Sequence, residues 1–150
     1  MAIRNIVTEG DSVLRKTSRS VLNFDEKLAI LLDDMKETMY KAEGVGLAAP
    51  QVGILRRVCI VDVGDGLVEL VNPVVESEEG EQIGSEGCLS CPGQSGNVKR
   101  AYKVTVRAQD RYGKSFTVVG EGLKARAFLH EIDHLNGNLY KDKVIGKVQG

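Results

Sequence analysis

The chain has 150 residues, 42% of them hydrophobic and 27% charged, with a formal net charge of -1 at pH 7. That length suits one domain with one core, and the balance excludes a disordered chain. Near-neutral charge gives no global attraction to nucleic acid or to an anionic membrane, and no apolar run approaches the roughly 20 residues of a membrane-spanning helix.

The opening stretch, MAIRNIVTEGDSVLRK, carries charge where a secretory signal needs an apolar core, so a cytoplasmic protein is expected. In NFDEKLAILLDDMKETMYKAEG, residues Leu28, Leu31, Leu32, Met35, Met39 and Ala42 follow the spacing of one buried helical stripe. Asn23 with Glu26 resembles a capping box, and Gly44 suits the left-handed residue that ends a helix. The following GVGLAAPQVG, residues 44–53, comes after a helix and does not run from a strand into one, which excludes a phosphate loop. Its glycines predict a turn that another backbone can approach.

From Arg57 to about Gly120 the pattern is that of strands. VCIVDV is a short apolar run, and LVELVNPVV follows a Gly-Asp-Gly turn. In YKVTVRAQD, Tyr102, Val104, Val106 and Ala108 alternate with polar residues, predicting a half-buried strand that Arg111-Tyr-Gly113 turns back into KSFTVVG. Between these runs SEGCLSCPG reads as irregular backbone. A second helix is expected over residues 123–136, with Gly137 as its terminator. The predicted fold is α+β, one compact domain over residues 1–150. Antiparallel or mixed sheets pack around a C-terminal helix, with an amphipathic helix near the N-terminus.

The chemistry is concentrated in LHEIDHLNG, residues 129–137, which holds both histidines of the chain. On a helix His130 and His134 project from one face, one turn apart, so both imidazoles reach one metal ion. Glu131 lies about 100° round, placed to act as a base beside the open coordination position. Asp133 reads equally as a solvated residue or as an arginine's partner. A catalytic site needs a third ligand, and residues 135–150 hold no further histidine; Asp142, in a Lys-Asp-Lys tail, is expected in solvent. A thiolate from SEGCLSCPG is the better candidate. Cys88 and Cys91 with the two histidines also match the ligand set of a structural zinc site, though far wider than a zinc finger. A redox pair would lack its strand-to-helix setting, and an HExxH peptidase would lack a later ligand. Cys59, in an apolar run, is expected to be a small buried hydrophobe.

Three segments taken together resemble peptide deformylase: Gly44-Val-Gly-Leu-Ala-Ala-Pro-Gln-Val-Gly53, Glu86-Gly-Cys-Leu-Ser90 and His130-Glu-Ile-Asp-His134. Their order and spacing are comparable to the family's, and the likeness runs over nearly the whole chain. The resemblance implies one divalent metal held by Cys88, His130 and His134, with Fe²⁺ favoured and Zn²⁺, Ni²⁺ or Co²⁺ able to replace it; no other cofactor is expected. It implies hydrolysis of the formyl group from the N-terminal methionine of new polypeptides. Glu131 would shuttle the proton, while the Leu89 backbone N–H and the Gln51 amide would stabilise the oxyanion. The formyl-methionyl chain would lie along Val45, Gly46 and Gly87, its methionine entering a pocket of Val45, Leu123, Arg126 and Ala127. Glu86 and Arg100 look like a family pair that steadies the cysteine loop.

Two departures stand out. Leu129 replaces a frequent glutamine, and Cys91 puts a second thiol near a ligand where many relatives have an apolar residue. KDKVIGKVQG is too short and glycine-bounded for the long helix that many relatives carry. At most a transient ribosome contact is therefore expected, with no nucleic-acid site and no membrane partner.

Overall fold

The first long helix, α1, spans Glu26–Lys41 of the computed structural model, which describes residues 2–150. Its stripe of Leu28, Leu31, Leu32, Met35 and Met39 is buried as the periodicity requires, while Ala42 is its half-buried C-cap. Both ends differ from expectation. The N-cap is Asp25, whose carboxylate accepts the Leu28 N–H at 3.1 Å, so Asn23 and Glu26 form no capping box. At the C-terminus the left-handed residue is Glu43, with φ 58°, and not Gly44. The Gly44 N–H bonds back to Met39 O and the Glu43 N–H to Tyr40 O, the two bonds of a Schellman ending. Gly44 is small for another reason: a Cβ there would lie 2.8 Å from Leu89 Cδ1.

Strands β1 (Gly46–Ala48), β2 (Val58–Val61), β3 (Val68–Glu79), β6 (Lys103–Gln109) and β7 (Ser115–Glu121) form one antiparallel sheet in the order β1-β2-β3-β6-β7. β2 is an apolar run because both of its faces are covered. Val58 and Ile60 pack with α1, whereas Cys59 and Val61 pack with helix α2 (Leu123–Leu135). Val104, Val106 and Ala108 are buried as their alternation predicts. Tyr102 breaks that pattern: it precedes β6 and is exposed.

The second sheet consists of β4 (Gln82–Cys88), β5 (Cys91–Arg100) and β8 (Val144–Gln149), three strands that the sequence hides. SEGCLSCPG is not irregular: β4 and β5 pair up to Cys88↔Cys91, with Leu89 and Ser90 as the connecting turn. Residues 144–149, expected as a tail, pair with β5, and this brings Gly150 against Gly93 and Gln94. Asp142 is exposed, as expected, and there it pairs with Arg15 and accepts the Leu139 N–H at 3.0 Å. No helix among the described residues is long and apolar enough to cross a membrane.

Candidate metal centre

Helix α2 ends at Gly137, φ 79°, and packs its apolar residues Ala125, Phe128, Leu129, Ile132 and Leu135 against the large sheet. The face bearing Ala127, His130, Glu131 and His134 is equally buried, although it carries three polar side chains. The spacing i, i+3, i+4, i+7 puts all four on one side of the helix. The β4–β5 turn lies opposite. Cys88 Sγ is 3.3 Å from His134 Nε2, and one donor atom each from Cys88, His130 and His134 lies within 4.8 Å of the others.

This thiol and two imidazoles form the sole cluster of its kind among the described residues. Cys91 is outside it, buried with Val98 and Tyr140, so the four-ligand zinc arrangement is not what these residues form. Cys59 is wholly buried, and burial pushes its thiol well up, as expected of an inert core cysteine.

The orientation of His130 is set from behind. Its Nδ1 lies 2.9 Å from Glu86 Oε1, which leaves Nε2 to face the cluster. Glu86 also accepts a fork from Arg100, at 2.8 Å on each oxygen, and Arg126 NH1 at 2.6 Å. Arg100 continues to Asp133 at 2.6 Å, which settles Asp133 as an arginine's partner. Two guanidinium groups thus face two carboxylates. Burial opposes ionisation of Glu86, yet the hydrogen bonds from Arg100 and His130 hold it well below the carboxylate range. The expected Glu86–Arg100 pair is present, and Arg126 joins it. Leu129 packs in the apolar core, so the hydrogen-bonding partner of His130 comes from β4 and not from the residue before it.

Glu131 is different. Its Oε1 is buried without a hydrogen-bond partner, its Oε2 is 4.0 Å from His130 Nε2, and burial pushes its carboxyl up to about 7. A buried carboxylate with one unpartnered oxygen and the other 4.0 Å from His130 Nε2, at the edge of the Cys88–His130–His134 cluster, fits a divalent cation and its water. Without a cation, burial drives His134 down to about 3, so its ring stays neutral and able to ligate. The Cys91 thiol and burial both push the Cys88 thiol up, and a metal would reverse that. Gly46 completes the seat for Glu131: a Cβ there would lie 2.5 Å from Oε2.

These groups border a cleft of about 490 Å³. Val45, Gly46, Gly87, Leu123, Arg126 and Ala127 all line it, as do Gln51, Cys88, Leu89, His130 and Glu131. Val45 and Leu123 are exposed at the rim, whereas Ala127 and Arg126 are buried. The guanidinium of Arg126 is engaged behind the cleft by Glu86, Val98 O and Gly84 O, which leaves its stem for the pocket. Gly84 is flat against it: a Cβ would meet Arg126 at 3.0 Å. Gln51 Nε2 donates to Cys88 Sγ at 3.4 Å. Two residues at this site were given no role by the sequence reading. Ser90 is wholly buried against Gln51, and Tyr140 stacks behind His130 with ring centroids 6.0 Å apart.

Comparison with known proteins agrees with this geometry. The family model described as Polypeptide deformylase matches residues 3–149. Peptide deformylase of Acetivibrio thermocellus is 59% identical over 145 residues, covering 97% of this chain and 85% of its own, and that of Caldicellulosiruptor bescii is 57% identical, covering 97% and 87%. The crystal structure of peptide deformylase from Thermotoga maritima superposes with a TM-score of 0.94 at 41% identity, covering 96% of this chain and 99% of that one. The chain therefore belongs to the polypeptide deformylase family, metal-dependent hydrolases that remove the N-formyl group from newly made polypeptides.

Proposed function

We propose that Cys88, His130 and His134 hold a single Fe²⁺, that Glu131 moves the protons, and that Gln51 and the Leu89 N–H receive the developing negative charge. The observation that carries this reading is the set of three donor atoms within 4.8 Å of one another, with the buried Glu131 carboxylate 4.0 Å from His130 Nε2. One thiolate and two imidazoles also suit Zn²⁺, Ni²⁺ and Co²⁺, so the iron assignment rests on the family resemblance. When bound, the metal acts as a Lewis acid, lowering the pKa of a water and polarising the formyl carbonyl.

Everything else falls to the protein. Glu131, buried beside His130 with an unpartnered oxygen, takes a proton from the attacking water and returns it to the leaving amine. Gly46 leaves the carboxylate room to do so. β1 is the edge strand of its sheet, so an extended formyl-methionyl chain can add to it through main-chain bonds along Val45 and Gly46, with Gly87 opposite. The methionine side chain then enters between Leu123, Ala127 and the Arg126 stem. We place the reaction in the cytoplasm, on chains leaving the ribosome.

The test is formate release from formyl-Met peptides by anaerobically purified protein, with metal counted per chain. Glu131→Gln should abolish release while metal stays at one per chain. A variant that loses metal and activity together would remove Glu131 from the proton-transfer role.

A further inference from the structure

Ser90 has no part in the roles above, yet it is wholly buried in the turn between β4 and β5. Its carbonyl accepts the Glu9 N–H at 2.8 Å, which fixes the turn from outside. Its hydroxyl faces the other way and accepts from Gln51 Nε2 at 3.1 Å. Gln51 is almost as deeply buried, and its Oε1 accepts the Ala48 N–H at 3.0 Å. That bond decides which end of the amide is oxygen, since a flipped amide would set donor against donor. Nε2 therefore faces the cluster with two hydrogens. One goes to Ser90 Oγ and the other towards Cys88 Sγ, 3.4 Å away, on the side where a formyl oxygen would gather charge.

The terminal torsion of a glutamine is broad and holds no angle by itself. Two fixed points, Ala48 N–H on the oxygen and Ser90 Oγ on the nitrogen, lock the amide plane. The second N–H is thereby aimed before any substrate arrives, which is what makes an oxyanion donor effective. We infer that Ser90 is a positioning residue, acting on the reaction only through the Gln51 amide. This rests on the reading of Gln51 given under the proposed function.

The experiment is a double-mutant cycle with Ser90→Ala and Gln51→Ala. Ser90→Ala should lower kcat about tenfold with KM and metal content unchanged, less than the ~10²–10³ of removing an oxyanion donor outright. In the Gln51→Ala background it should have no further effect. Effects that multiply, or metal lost in step with activity, would overturn the inference. If Ser90→Ala does not fold, Ser90→Thr against Ser90→Val gives the same contrast, hydroxyl against methyl at equal size. A second readout needs no turnover: the sulfur-to-cobalt absorption band of the Co²⁺-loaded protein. Ser90→Ala and Gln51→Ala should shift it in one direction without adding, because both disturb the N–H on Cys88 Sγ. A wild-type protein that releases no formate yet shows that band behaviour would refute the proposed function and leave the Ser90–Gln51 coupling standing. An unmoved band in Ser90→Ala would refute the coupling.

Discussion

The two helices have the same apolar periodicity and are put to different uses. α1 buries leucines and methionines, with only Asp34 and Thr38 as polar residues on the hidden side. α2 buries Arg126, His130, Glu131 and His134 among its alanines and leucines. Burial of a hydrocarbon side chain stabilises by about 1.5–3 kcal/mol, whereas a buried charge is tolerated only when paired and hydrogen-bonded. α1 therefore stabilises the domain through hydrocarbon packing against the sheet, with no charged partner needed for its stripe. α2 depends on partners outside the helix, above all on Glu86 of β4, which meets Arg100, Arg126 and His130 together. Function sits where stability is borrowed from another element.

The sharpest way to break that contrast is Glu86→Gln. It leaves two buried guanidinium groups facing one fewer carboxylate, and loss of one partner of a buried pair typically costs about 3–5 kcal/mol. Urea unfolding should show that loss, with metal affinity falling about 10–100-fold as His130 loses its orienting oxygen. A loss below about 1 kcal/mol would mean that α2 does not lean on β4. The matching change in α1 is Leu32→Ala, which should cost about 2–5 kcal/mol by leaving a cavity. Leu32 is fully buried in the α1 cluster, so kcat and KM should stay at wild-type values while the urea midpoint falls. The smallest effect concerns the one acid that α1 buries. The Ala2 N–H and Arg4 hold Asp34 below its ordinary 3.8, against the opposing effect of burial. A depressed carboxylate contributes stability that is complete above 3.8 and lost as pH falls through the lower folded value. Asp34→Asn should therefore flatten the stability-versus-pH curve below about pH 4. An unchanged slope there would show that the pair contributes nothing.

The same contrast explains what the sequence made legible. α1, β2, the β6–β7 hairpin and α2 bury hydrocarbon at regular spacing, so their periods are visible. His130, Glu131 and His134 could be placed because helical spacing fixes which residues share a face. β4 and β5 were hidden because their buried positions hold Glu86, Cys91, Gly96, Val98 and Arg100, a mixture in which no apolar alternation is visible. Their glycines read as loop for a related reason. Gly84 lies flat against Arg126 and Gly96 against Val144, where a Cβ would come within 3.0 Å. Ser90 stands in a segment the sequence singles out, but its role was not legible because it depends on Gln51, 39 positions away. The Schellman ending at Glu43 was misplaced by one residue because glycine is the better left-handed residue, and Gly44 is needed for its contact with Leu89.

The place where β8 ends has a practical consequence. A Cβ on Gly150 would lie 2.8 Å from Gly93 O, and Gly93 and Gln94 line the cleft. Anything that continues the chain past that residue, such as an affinity tag or a fluorescent fusion, begins its path beside the cleft in which we place the peptide.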